Sequence, residues 1–418
     1  MKRVFWSALA NACAIGFSFL AQLVILRKLG VSAVTDCWYA SWTLSFLYHE
    51  SLVLPASYAL TPILGASTEE QRRVDLSSVY LLSLLAGLAA MAAIGLLAGL
   101  WVPLMFPRFS PDSVALTSQL VWLASLVYLL QAQNSLLVAN LMSRGRTAHY
   151  DLVTFCGSTT GLVVSLSVVG RLGIYAFPAY LVARALVEAA LLWVLTGPPA
   201  RPDLTSQGLK RLRDCLPGAV GGAVVLRLDP VLDKVLASLA PPGSLSTYSF
   251  LRQVSDAVVR VSYRAAVTPF LGRVAPVLER AQGDPGPLVS LTRQAVQTGM
   301  LFSGLLLVAL LIGEAVYLTT IGVGWHGMSL GAVLSVQLGL LGVVLCGPLY
   351  QFMNTLYHGA SRSHTVARYA LASLLAGGLC KVASFSRLGI LGICLGASVN
   401  LTVFLVLSAR GVRGLLRR

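Results

Sequence analysis

Apolar residues recur along this chain in runs of about twenty, the length an α-helix needs to cross a bilayer, with only short polar breaks between them. Inside lipid every backbone N–H and C=O must be satisfied within the protein, so runs of this kind fold as helices. Charged residues make up only 11% of the chain and hydrophobic ones 56%. A soluble domain carries about a quarter charged residues, so the reading is an all-α polytopic membrane protein.

Twelve spans fit the pattern: 4–26, 37–63, 77–101, 114–141, 152–170, 174–197, 216–239, 247–272, 298–320, 331–357, 366–381 and 388–409. The first, after Lys2 and Arg3, is too long for a cleaved signal and reads as a spanning helix. With the N-terminus cytoplasmic, inside segments hold 19 basic residues. Outside segments hold six: Arg27, Lys28, Arg108, Arg171, Lys381 and Arg387. That bias predicts two cytoplasmic termini. It also accounts for the net charge of +15 without a nucleic-acid partner, since the basic residues are dispersed among short loops. The seven cysteines form no CxxC pair and no Cys/His cluster, so neither a disulfide framework nor a metal is expected.

The polar stretch GPPARPDLTSQGLKRLRD divides the chain into halves of six spans. The expected organisation is an N-terminal bundle at 1–200, a cytoplasmic linker at 201–215, a C-terminal bundle at 216–410 and a basic cytoplasmic tail at 411–418. VSAVTDCWY, residues 31–39, and GSLSTYSFL, residues 243–251, each join the first two spans of a half. An even number of spans per half predicts parallel, pseudo-symmetric repeats around a central cleft.

Charge inside a bilayer is costly and marks function or pairing. His49 and Glu50 lie within span two, and Arg184 and Glu188 within span six. Arg227, Asp229, Asp233 and Lys234 lie within span seven. Arg252, Asp256 and Arg260, continued by Arg264, are spaced four apart on span eight and share one face. That stripe has surplus positive charge, which suits a hydrated cavity or an anionic ligand. Asp229 and Asp233 share a face and can pair with Arg227 or with span eight. Arg184 with Glu188 reads as an intrahelical ion pair. Asp36, after Thr35, reads as an N-terminal cap of span two, with ion coupling as its other role. Pro55 and Pro230 fall inside spans, where each removes a hydrogen bond and bends the axis, as gating helices require. Candidate cleft residues are therefore Arg252, Arg260, Asp256, His49, Glu50 and Arg227. Candidate coupling or gating residues are Asp36, Asp229, Asp233, Pro55 and Pro230. No hydrolase, zinc-protease or nucleotide-binding motif occurs, so an enzyme is not expected and no cofactor is implied.

Three segments carry a resemblance. RKLGVSAVTDCWYASWTL, LTSQLVWLASLVYLLQAQNSLLVAN (116–140) and LASLAPPGSLSTYSFLRQV (236–254) resemble, in register, segments of the MurJ (MviN) lipid II flippase family. That family belongs to the multidrug/oligosaccharidyl-lipid/polysaccharide flippase superfamily. The resemblance implies a two-lobed, alternating-access transporter in the bacterial inner membrane. Its substrate would be an undecaprenyl-pyrophosphate-linked glycan, moved from the inner to the outer leaflet. Other implied partners are membrane lipids and envelope-glycan synthesis proteins. The chain departs from the family in having twelve expected helices rather than fourteen, and in lacking first-helix arginines. A family arginine of helix two falls at His49, and that of helix eight at or beside Arg252. Two other readings stay open: a nontransporting scaffold paralogue in an envelope-glycan complex, and a small-cation drug antiporter, whose cleft would be acidic.

Overall fold

The structure is a computed structural model that describes residues 2–263, 267, 270, 286–320, 330–359 and 362–412. Arg264 and residues 413–418 of the basic tail lie outside the described residues. Among the described residues there is helix and no strand. Two compact units divide the chain, Met1–Arg227 and Leu228–Arg418.

The first unit contains α1 (Lys2–Leu29), α2 (Ala33–Ser41), α3 (Thr43–Tyr48), a π-helical turn (His49–Val53), α4 (Leu54–Ala66), α5 (Glu69–Leu96) and α6 (Ala98–Met105). It continues with α7 (Pro111–Ser143), α8 (Thr147–Leu172), α9 (Ala176–Thr196) and the first part of α10 (Gln207–Ser238). Helix α7 is its hub, packed against α2, α4, α5 and α9, while α8 packs on α1 and α9. Small polar residues such as Ser125 and Asn134 are buried along α7 beside the leucines. The Asn134 amide donates to the Ala185 carbonyl of α9 at 2.9 Å, which satisfies its donor side, while its Oδ1 has no hydrogen-bond partner among the described residues. Aromatic rings fill the space around α2: Trp38 stacks on Phe177 at 5.5 Å and Trp42 on Tyr128 at 6.1 Å.

The second unit holds the rest of α10, then α11 (Ser244–Ser262), α12 (Gly286–Thr320), α13 (Leu330–Gly339), α14 (Leu341–Gly359), α15 (Ser363–Leu388) and α16 (Ile390–Gly411). Glycines let α15 and α16 approach closely. A Cβ at Gly377 would lie 2.8 Å from the Gly396 carbonyl and 2.6 Å from Asn400 Cβ. Backbone contact of this kind is how membrane helices associate where the hydrophobic effect supplies no drive.

Among the described residues every expected span falls on one helix or on consecutive helical segments, with 264–266, 268–269 and 271–272 of span eight lying outside the described residues. Eight stretches of the described residues are long and apolar enough to cross a membrane, and one of them, Ala148–Thr196, contains both α8 and α9. Spans two, seven and eight are not among them. The second is broken at its π turn, and the other two carry the charges discussed below. Lys381 requires a correction. The sequence puts it at the outer end of span 366–381, among the outside basic residues, but α15 runs seven residues beyond it to Leu388 and buries it completely.

The α15–α16 contact gives a direct test. Gly396→Leu is expected to destabilise the protein by about 1–3 kcal/mol, as overpacking does, and to lower its thermal midpoint in detergent. An exposed glycine with open space, Gly170→Leu, is the control and should leave that midpoint unchanged.

Candidate functional site

The candidate residues gather into two charge clusters, one in each unit. In the first unit the helix begun at α2 does not stay regular. Ser32 is its N-cap, and its N–H donates to Thr35 Oγ1 at 2.8 Å. The cap is therefore Ser32 with Thr35, not Asp36. Asp36 sits buried in the first turn, where its charge suits the positive end of the helix dipole. Seven residues past Trp42 the chain enters the π turn His49–Val53, a rarer geometry concentrated at functional sites. Pro55 follows at the start of α4, where a missing N–H costs little.

The π turn presents adjacent residues into one network. His49 is buried, with Nε2 3.4 Å from Ser135 Oγ and its ring 5.6 Å from that of Tyr128. His49 Nδ1 is 3.4 Å from Glu50 Oε1. The other Glu50 oxygen accepts Arg227 Nη2 at 2.8 Å. Arg227 thus pairs with Glu50 rather than with Asp229 or Asp233, and its side chain is 41% exposed against 16% for Glu50. The Arg184–Glu188 pair forms as expected at 2.8 Å, and Arg184 Nη1 also donates to Ser18 of α1 at 2.8 Å. It ties α9 to α1 and reads as scaffold.

In the second unit Asp229 and Asp233, one turn apart on α10, face Lys381 from α15. The ammonium lies 2.5 Å from Asp229 Oδ1 and 2.5 Å from Asp233 Oδ1. Tyr248 of α11 donates its hydroxyl to Asp233 Oδ2 at 2.5 Å. Arg252 reaches the same carboxylate at 3.8 Å and pairs with Asp256 at 3.2 Å. Pro230 lies within α10, which runs as one helix from Gln207 to Ser238.

The surplus positive charge expected on the α11 stripe is thereby reduced. Arg252 is matched by two acidic neighbours, and the buried cation that answers Asp229 and Asp233 is Lys381, which the sequence counts among the outside basic residues. The stripe instead runs outward. Arg252 is partly buried, Asp256 is half-exposed, and Arg260 is exposed with no ion-pair partner among the described residues. The adjoining face of α11 is buried through Leu251, Val254, Ser255 and Val259, with Ser255 donating to Gln337 of α13 at 2.9 Å. Arg252 Nη1 is enclosed and has no hydrogen-bond partner among the described residues, because 3.8 Å to Asp233 is beyond hydrogen-bonding reach.

Breaking a buried ion cluster from one side strands the remaining charge at a cost of about 3–5 kcal/mol. Lys381→Met should therefore lower thermal stability severely. The triple variant Lys381→Met, Asp229→Asn, Asp233→Asn should recover most of it, as read by thermal unfolding in detergent. A triple variant no better than Lys381→Met would overturn the pairing.

No family model matches the sequence, and neither does any curated protein sequence. Solved structures do match in fold. A lipid II flippase MurJ in an inward closed conformation aligns with a TM-score of 0.77 at 15% identity, over 99% of this chain and 87% of that one. An inward-facing multidrug resistance MATE family transporter aligns at 0.69 and 13% identity, over 97% of each chain. A transporter of the same superfamily from Pyrococcus furiosus, described as having a binding pocket of reverse polarity, aligns at 0.66 and 12% identity, over 100% and 97%. The chain has the fold shared by MurJ and the MATE transporters of the MOP superfamily.

Proposed function

We propose that the protein is a flippase for a polyprenyl-pyrophosphate-linked glycan, lipid II or a related lipid-linked oligosaccharide. It moves this substrate from the inner to the outer leaflet of the bacterial cytoplasmic membrane, with both termini cytoplasmic. The observation that carries the proposal is the spare guanidinium donor of Arg252, beside an outward stripe ending in the exposed Arg260. Guanidinium groups stay charged and offer forked donors that match phosphate oxygens. The fold supports the same reading, since one neighbour bears the description lipid II flippase.

A small-cation antiporter needs carboxylates open to its cargo. Here Glu50 holds Arg227, and Asp229 and Asp233 hold Lys381. The acidic groups are already answered by the protein's own cations. The close matching of charge in α10, α11 and α15 favours a second reading, the nontransporting scaffold in an envelope-glycan complex.

The two separate on Arg252 and Arg260. A charge-assisted hydrogen bond contributes about 1.5–3 kcal/mol, so losing one should slow transport at least tenfold. Arg252→Ala and Arg260→Ala in a depletion strain should each leave membrane abundance unchanged. Undecaprenyl-linked precursor should then accumulate on the inner leaflet. Normal precursor turnover in both variants would remove the flippase reading and leave the scaffold.

A further inference from the structure

A second polar site lies in the first unit, apart from both charge clusters. Where α5 begins and α7 and α9 end, a cavity of about 230 Å³ opens. Gly197, at a φ of 85° that favours glycine, ends α9 and turns the chain over it. The segment 198–202 then runs along its lining. Two α5 hydroxyls pin that segment: Ser77 accepts the Ala200 N–H at 3.1 Å, and Ser78 accepts the Asp203 N–H at 2.8 Å. Thr205 donates both its hydroxyl and its N–H to Asp203, which holds that exposed carboxyl below the usual range.

The cavity's polar groups are left over. Asn140 is fully buried, and neither its side-chain oxygen nor its nitrogen has a partner among the described residues. Thr196 Oγ1, on a residue 7% exposed, has none, and Arg144 Nε is equally enclosed and unpaired. All three residues line the cavity. An orphaned buried polar group costs about 1–3 kcal/mol, and several around one void describe a site completed by a polar guest.

Charge and shape specify the guest. Glu69 is the one carboxylate paired with Arg72, Arg73 and Arg144, at 2.8, 3.3 and 2.7 Å. Three guanidinium groups against one carboxylate leave positive charge to spare, and Arg73 and Arg144 both line the cavity. Asp75 accepts from Ser67 and packs against Gly208, outside the lining. The opposite wall is aromatic, with Tyr80 edge-on to Trp193 at 5.2 Å. Beneath it lies an aliphatic cluster that includes Leu76, Leu136 and Leu192. The volume falls below the roughly 300 Å³ at which drug-sized sites begin, too small for a glycan.

We infer that this cavity binds the phosphate headgroup of an amphiphile. The phosphate meets Arg144 and Arg73, Asn140 and Thr196 take its polar oxygens, and the first carbons lie on Tyr80 and Trp193. The site is separate from the proposed transport reading and its readout is binding, so either can fail without the other.

The test uses the full chain in a neutral detergent and follows tryptophan emission and thermal midpoint. The probes are dihexanoyl phosphatidylglycerol, dihexanoylglycerol and inorganic phosphate. The phosphatidylglycerol should bind saturably and raise the midpoint, with each of the other two at least tenfold weaker. Asn140→Leu and Arg144→Gln should each weaken its binding at least tenfold. Trp193→Phe should abolish the emission change while keeping the midpoint shift. Asn140→Leu removes two orphaned atoms, so it should fold at least as stably as the parent even if Arg144→Gln does not. Undiminished binding by Asn140→Leu would overturn the site, leaving a water-filled void. Equal binding of dihexanoylglycerol would overturn the role of phosphate, and equal binding of inorganic phosphate that of the amphiphile.

Discussion

A lysine with no solvent exposure sits between two aspartates on the neighbouring helix, and much of the second unit follows from that arrangement. Each ion alone would cost several kcal/mol to bury. Together they confine α10 and α15 to one relative placement, because the ammonium must reach both carboxylates. The glycines around Lys381 make this possible. A Cβ at Gly396 would collide with the lysine's Cγ, whereas one at Gly378 would meet Leu232 of α10 in ordinary contact at 3.6 Å. With Asp233 so fixed, its second oxygen orders Tyr248 and draws in Arg252 from α11. Small residues set a backbone distance, that distance aims a cation, and the cation orients the acids that hold the arginine.

The first unit solves the same problem differently. Its charges lie on a helical irregularity, the π turn at His49–Val53. Glu50 is largely enclosed, yet its Arg227 partner stays half-exposed. The aromatic residues around α2 and Tyr128 enclose the His49 side. The pair is thus enclosed at one end and exposed at the other, whereas the lysine is enclosed throughout.

The spans were legible because bilayer thickness writes itself into run length, and the acid and base spacings on α10 and α11 follow directly from helical periodicity. Lys381 was not legible. It follows the apolar stretch YALASLLAGGLC and precedes VASFSRLG, whose polar residues begin three positions on, so hydropathy puts it at a boundary. Only the partner acids, 148 and 152 residues earlier in the chain, reveal that it is inside. Thr35 and Asp36 mark a helix start correctly, but the capping geometry belongs to Ser32 because the first turn begins at Ala33. Asn140 and Thr196 give no sequence signal at all. Each is a single polar residue near the end of an apolar run, and their meaning comes from sharing one void with Arg144.

Charge matching explains why Arg252 is informative although it is paired. A fully unmatched arginine would be too costly to hold in place without its ligand, and a fully matched one would have nothing to offer. Arg252 spends Nε on Asp256 and leans toward Asp233 without hydrogen bonding to it. Those contacts fix the guanidinium plane and leave Nη1 without a hydrogen bond among the described residues. Preorganised donors of this kind bind an anion with little further loss of side-chain freedom. The surrounding acids then tune how tightly the arginine grips. On the flippase reading we propose, a phosphate-bearing group would compete with Asp233 and Asp256 for it, and a carrier that releases its cargo would need that competition.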